Sequence, residues 1–235
     1  MKRLLTCGLL ALCAVNLSCK TTAHDDSLTS GVTAGNARPA WSRIPPEHFS
    51  MPPPPAANSQ AFKKDFEELL TAQDTRTEED CQTSKRQQYP SFKTLFESSP
   101  ILSEAEFQKD EALFDRALNF AEKVAGHFKD QYKRPRPYTT NPDIKPCVPL
   151  ISGNKSYPSS HATMASMGTC LIAKQFPSRS DAAEKYGRYL AELRVKIGVH
   201  HPSDVSAGIK LGKDVCARLL RDAEFVAAFR AIEQH

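Results

Sequence analysis

An aspartate stands in line with the apolar face of a helix: Asp204, Gly208, Leu211, Val215 and Leu219 recur at the spacing of one helical stripe. This constrains the fold closely, because a carboxylate turned toward a core needs a partner to offset its lost hydration. His200 lies four residues earlier, within reach if the intervening turn is near-helical. Asp204 is then expected to accept the Nδ1–H of His200 and leave Nε2 as an oriented base. Pro202 suits the first turn of the helix, where its missing N–H has no acceptor to lose, and His201 or Ser203 can close the helix start. Taken alone, the His–Asp pair reads more simply as a structural cap that performs no chemistry.

The rest of the body repeats the helical period. Ala61, Phe62, Asp65, Phe66, Leu69 and Leu70 mark an amphipathic helix, and Thr77-Glu-Glu-Asp80 opens another with acids in its first turn. Phe114, Ala117, Ala121, Val124 and Phe128 continue at three- and four-residue steps along a long helix that begins near Ser103. Further helices are predicted at about 160–176, 180–197, 202–220 and 222–233. There is no alternating strand pattern and no internal repeat, so residues 51–235 are expected to form a single all-α domain, a compact helical bundle.

The N-terminal quarter has a different composition. Lys2 and Arg3 followed by Leu4 to Val15 have the form of a signal peptide over residues 1–23, with an apolar run too short to span a bilayer. Leu17-Ser18-Cys19 resembles a bacterial lipobox, in which Cys19 would be lipidated, although Asn16 stands where leucine is usual; the alternative is cleavage near Ala23. The chain is therefore expected to be periplasmic, either free or as an outer-membrane lipoprotein. Residues 20–50 are assigned to a flexible, proline-containing tether, and Pro45-Pro46 and Pro52 to Pro55 to extended chain laid over the domain. Cys81, Cys147, Cys170 and Cys216 remain in the body, enough for two disulfides in an oxidising compartment, and sequence alone allows three pairings. None has metal-ligand spacing. The net charge of +4 is too mild to suggest a nucleic-acid partner.

The remaining cations cluster where helices end. Lys129 follows the last stripe residue of the long helix, and Arg134-Pro135-Arg136-Pro137 must terminate it. Ser156-Tyr-Pro-Ser159-Ser160-His161 precedes the small residues Ala162, Ala165 and Gly168, which makes a helix N-terminus with free amides. Each piece has a bland structural reading as a helix cap or a dipole partner. Together they supply cations, amides, two histidines and a carboxylate, the equipment for a tetrahedral oxyanion undergoing phosphoryl transfer.

Lys129-x6-Arg136-Pro137, Pro158-Ser159-Ser160-His161 and Arg194-x5-His200-x3-Asp204, in that order, resemble the three-part signature of the type 2 phosphatidic acid phosphatase superfamily. Within it, Met51 to Ser59, Tyr157 and Pro202-Ser203-Asp204-Val205 are similar to the bacterial class A non-specific acid phosphatases. The resemblance implies the helical bundle of the acid phosphatase and vanadium haloperoxidase type, and a metal-free, cofactor-free phosphomonoesterase. It implies that His200 attacks phosphorus to form a phosphohistidine, that Asp204 holds its other ring nitrogen, and that His161 protonates the leaving alkoxide. Lys129, Arg136, Arg194, the Ser159 hydroxyl and the Ser160 amide would bind the phosphate oxygens. Two positions depart from the pattern: Ser160 replaces a usual glycine and Leu193 a usual serine. Small-molecule phosphomonoesters are the expected substrates and a homodimer the expected assembly. The alternatives are a lipid or isoprenyl phosphate phosphatase at the membrane surface, and a non-enzymatic, phosphate-binding helical lipoprotein.

Overall fold

The computed structural model describes residues 39–233. The signal peptide, Cys19 and residues 20–38 of the tether lie outside the described residues. Among those described there are helices and turns but no strand. In chain order the α-helices are α1 (Gln60–Asp74), α2 (Glu78–Arg86), α3 (Phe92–Phe96), α4 (Glu104–Tyr132), α5 (Pro137–Thr140), α6 (Ser160–Gln175), α7 (Ser180–Lys196), α8 (Pro202–Leu219) and α9 (Ala223–Glu233). The all-α expectation holds, with α3 and α5 as short additions that a stripe pattern is too coarse to show.

Local chemistry explains the boundaries. Ser103 and Glu106 form a reciprocal capping box at the start of α4, as Thr77 and Asp80 do for α2. The end of α4 is set by Lys133, which adopts a left-handed φ of 46°, and by Pro135 after it, which cannot continue the helix. Ser59 caps α1 by accepting the Phe62 N–H at 3.1 Å.

The centre of the bundle is α6, buried on almost every side and packed against α4, α7 and α8. Its contact with α8 is close because Gly208 and Gly212 face it. A Cβ on Gly208 would stand 2.6 Å from the Ser159 carbonyl oxygen, and one on Gly212 would collide with the Thr163 carbonyl. This approach brings the N-termini of α6 and α8 together: the Ser159 N–H donates to the Asp204 carbonyl at 3.0 Å. An aromatic layer, with Phe92 stacked on Phe107 at 5.1 Å and edge-on to Phe114, fills the space between α3 and α4.

The expected tether ends earlier than residue 50. Trp41 is 1% exposed and packs edge-to-face on Phe225 at 5.3 Å, and Ile44 and Phe49 are buried in the same cluster. Burial of a tryptophan contributes about 2–3 kcal/mol, which holds this stretch on the bundle. The proline run lies over the domain as predicted, its backbone carbonyls at Met51 and Pro52 accepting from the Tyr132 and Tyr157 hydroxyls at 2.7 and 2.8 Å. The disulfides are Cys81–Cys147 and Cys170–Cys216. Among the described residues no helix is long and apolar enough to cross a membrane.

Asp110 on α4 is a buried acid away from the cation-rich end of the bundle. Gln175 donates to its Oδ1 at 2.9 Å, while Asp110 Oδ2 and Gln175 Oε1 have no partner. A proton on the carboxyl would serve both oxygens, and burial raises the Asp110 pKa to about 6 despite the Gln175 hydrogen bond. Between the ordinary carboxylate range and pH 6 the folded state holds a proton that the unfolded chain has released, so stability falls as pH rises through this window. Asp110→Asn is therefore expected to stabilise the protein by about 2 kcal/mol at neutral pH and by little near pH 4. Thermal melts at the two pH values check this, and an equal difference at both would contradict it.

Candidate active site

Four helix ends meet at one end of α6. Lys129 sits in the last turn of α4 and is buried, its Nζ donating to the Lys155 carbonyl at 2.8 Å and to the Pro158 carbonyl. Burial first, and then the nearby Arg136 charge, bring its pKa down to about 7. Beyond the helix, Arg134 and Arg136 lie in a stretch interrupted by prolines and are both 5% exposed.

At the start of α6, the Ser159 hydroxyl accepts the Ala162 N–H at 3.4 Å and its carbonyl accepts the Thr163 N–H at 3.0 Å. Those contacts satisfy two of the first-turn donors and leave the Ser160 and His161 amides for a ligand. Ser160 starts the helix without a positive φ, so this position does not demand glycine. His161 is buried, with Nε2 at 2.6 Å from the Gln87 carbonyl after α2. A carbonyl can only accept, so Nε2 carries a proton and Nδ1 is the other available atom. Burial and then the Arg194 charge push the His161 pKa well below the usual range for imidazole.

The third element is the turn between α7 and α8. Arg194 at the end of α7 is 2% exposed, and its carbonyl accepts the His200 N–H at 3.2 Å, folding the chain back. His200 Nδ1 lies 3.3 Å from Asp204 Oδ2, and its Nε2 lies 2.8 Å from Arg136 Nη1. A guanidinium only donates, so Nε2 holds a lone pair and the proton resides on Nδ1, facing the carboxylate. Burial and then Arg136 push the His200 pKa well below its ordinary value, so the imidazole is neutral. Leu193 is packed in the core at 1% exposure.

Asp204 is fully buried. Burial disfavours its charge, but the His200 hydrogen bond and the Arg134 charge outweigh that and hold it below the usual carboxylate range. Its oxygens accept from Arg134 Nη1 at 2.6 Å, the His201 N–H at 2.9 Å and the Ser156 hydroxyl. Arg134 also reaches Asp65 Oδ2 on α1 at 2.8 Å.

Lys129, Arg136 and Arg194 are buried, yet none forms an ion pair among the described residues. Arg136 Nε, Arg194 Nε and Arg194 Nη1 have no hydrogen-bond partner at all. Burial and then the repulsion from Arg136 bring the Arg194 pKa down to about 9. Three buried cations with unused donors, beside free helix amides, form a cradle that an oxyanion would complete. Among the described residues no group of three His, Cys, Asp or Glu side chains is placed to hold a metal ion.

The fold thus assembles Lys129, Arg136, Ser159, Ser160, His161, Arg194, His200 and Asp204 from separate helix ends. Sequence reasoning named Arg134 and Ser156 within the motifs without giving either a role, and assigned nothing at the site to Asp65 or Gln87. Asp65 carried a signal of the same kind as Asp204, a carboxylate among Phe62, Phe66 and Leu69 on the apolar face of α1. The Gln87 contact is made by a backbone carbonyl, which no side-chain pattern reports.

Comparison with known proteins agrees with this geometry. The chain is 25% identical over 181 residues to a non-specific acid phosphatase of Salmonella typhi, covering 73% of this chain and 72% of that protein. A non-specific acid phosphatase of Salmonella typhimurium is 24% identical over the same shares. Among solved structures, a transmembrane PAP2 type phosphatidylglycerolphosphate phosphatase from Bacillus subtilis superposes with a TM-score of 0.51 at 20% identity, over 68% of this chain and 85% of that one. Residues 117–223, which include every member of the cradle, match the PAP2 superfamily.

Proposed function

We propose that the protein is an exported acid phosphatase that hydrolyses phosphomonoesters through a phosphohistidine, without a metal. The observation that carries this reading is the neutral His200, its Nε2 lone pair beside Arg136 and within the cradle of unpaired cations. In the first step Nε2 attacks phosphorus, the ester P–O bond breaks, and the leaving oxygen takes a proton from His161. With the Nε2–H of His161 held by the Gln87 carbonyl, the proton delivered is the one on Nδ1. In the second step His161 takes a proton from water, whose oxygen attacks phosphorus, the P–N bond breaks, and inorganic phosphate leaves. Lys129, Arg136 and Arg194 neutralise the equatorial oxygens throughout. The similarity to curated acid phosphatases and the PAP2 superfamily match support the same assignment. Export through residues 1–23, with Cys19 lipidated, and assembly as a homodimer belong to the same proposal.

The test is turnover of p-nitrophenyl phosphate by the purified protein at mildly acid pH with excess chelator. Chelator-resistant hydrolysis, inhibited competitively by orthovanadate, is the expected result. A folded protein that releases no phosphate would refute the reading. A second reading, action on lipid or isoprenyl phosphates at a membrane surface, is favoured by Leu150 and Ile151, which are 66% and 37% exposed on the loop that the Tyr138 hydroxyl holds at Ile151. Faster hydrolysis of a phosphatidate in mixed micelles than of the aryl ester would decide for it.

A further inference from the structure

We propose that Asp65, through Arg134 and Ser203, is a positioning residue for the His200–Asp204 pair, so that α1 contributes to a site whose direct groups all lie within residues 117–223. The inference rests on the phosphatase reading and names a residue outside the superfamily match.

The geometry is a closed polar ring. Arg134 spans two carboxylates, with Nη1 at 2.6 Å from Asp204 Oδ1 and Nη2 at 2.8 Å from Asp65 Oδ2. Ser203 closes it: its hydroxyl accepts from Arg134 Nη1 at 2.7 Å and donates to Asp65 Oδ2, and its N–H donates to Asp65 Oδ1 at 2.9 Å. Asp65 and Arg134 are each about 5% exposed and Asp204 is inaccessible, so solvent screens none of these contacts appreciably.

Charge and direction follow from that ring. One guanidinium shared by two carboxylates leaves the group with a net negative charge. Arg134 alone would neutralise Asp204 and weaken its hold on the cation that His200 becomes when Nε2 is phosphorylated. Asp65 takes half of that guanidinium, leaving Asp204 Oδ2 as an effective acceptor for His200 Nδ1–H. It also fixes the orientation: Arg134 reaches Asp204 Oδ1 only, which turns Oδ2 toward His200, Ser156 and the His201 N–H. Ser203 stands beside Asp204 in the first turn of α8, so the Asp65 contact to its N–H also anchors the start of that helix.

Asp65→Asn is therefore expected to lower kcat for p-nitrophenyl phosphate about 10- to 100-fold at nearly unchanged KM, since the cradle cations are untouched and only the alignment of the nucleophile suffers. The decisive comparison is a double-mutant cycle with Asp204→Asn. If Asp65 acts through Asp204, Asp65→Asn should cost no more than about twofold in that background, whereas independent effects would multiply. Ser203→Ala removes only the bridging hydroxyl and keeps both charges. It should show a smaller fall of the same kind, and decides the matter if Asp65→Asn does not fold. The downfield Nδ1–H proton resonance of His200, assigned by its loss in His200→Ala, should move upfield in Asp65→Asn or Ser203→Ala, and it can be read without turnover. Wild-type protein that turns over nothing counts against the phosphatase reading alone. An unmoved resonance, multiplying losses in the cycle, or wild-type kcat in both variants overturns the role given to Asp65.

Discussion

His200→Ala is expected to lower kcat on p-nitrophenyl phosphate on the order of 10⁴-fold or more, with the fold intact. The size follows from the role: without an imidazole at this position no covalent intermediate forms, and the cradle alone supplies only electrostatic stabilisation. The fold should survive because the partner left behind stays satisfied. Asp204 keeps Arg134, Ser156 and the His201 N–H when the ring is removed. Lys129, Arg136 and Arg194 also remain, so competitive inhibition by inorganic phosphate should persist within a few-fold while turnover disappears. Kinetics and phosphate inhibition on the same preparation, with circular dichroism as the control for folding, read both. Near wild-type turnover in the alanine variant would remove His200 from the nucleophile's role.

His161→Ala should divide substrates by their leaving groups. An alkyl phosphate needs a proton on the departing oxygen and should lose about 10²- to 10⁴-fold, while an activated aryl phosphate should lose about tenfold or less. The pH dependence has a definite sign. His161 is buried, and Arg194, Lys129 and Arg136 all oppose its protonation, so the acid form is populated only below the usual imidazole range until a phosphate dianion enters. Alkyl ester hydrolysis at low substrate should therefore already fall as pH rises through the acid range below the usual imidazole pKa, and that limb should be absent in His161→Ala. Equal losses on the two substrates, or an unchanged limb, would assign the proton to another donor.

Similarity and geometry carry different parts of the functional argument. The match of residues 117–223 to the PAP2 superfamily covers the same stretch that brings the buried cations and the two histidines together. It does not select a substrate, since acid phosphatases and a phospholipid phosphatase both stand among the similar proteins. Specificity must come from what surrounds the cradle. The loop between α5 and α6, which carries exposed Leu150 and Ile151 and whose Lys155 carbonyl accepts from Lys129, and the turn after α2, which carries exposed Tyr89 and whose Gln87 carbonyl meets His161, are the segments that combine contact to the cradle residues with exposed large apolar side chains.

Features set by neighbours in the chain are legible in the order of residues itself. Capping residues at Ser59, Thr77 and Ser103, the stripe along α4 and the arrest of that helix by Pro135 depend on contacts within one or two turns. The pairing of His200 with Asp204 belongs to the same class, because their separation of four residues lets local backbone geometry bring them together. The resemblance of the three motifs to the superfamily signature singles out Lys129, Arg136, Ser159, Ser160, His161 and Arg194 as candidate site residues. Their spacing does not show that the three cations are buried without carboxylate partners.

What tertiary structure alone decided was how distant segments are joined. Trp41 belongs to the core because a pocket near Phe120 and Phe225 receives it, and the surrounding proline-rich sequence resembles a tether. The choice of Cys81–Cys147 and Cys170–Cys216 among three pairings came from the segment after α5 lying against α2 and from α6 packing on α8. The same holds for Asp65, which reaches Arg134 across 69 positions of chain, and for the Gln87 carbonyl, which reaches His161 across 74. The physical reason is range. Periodicity, caps and near-neighbour pairs express energies acting within a turn or two of helix, whereas the partner of a buried charge is chosen by packing, which depends on every helix at once.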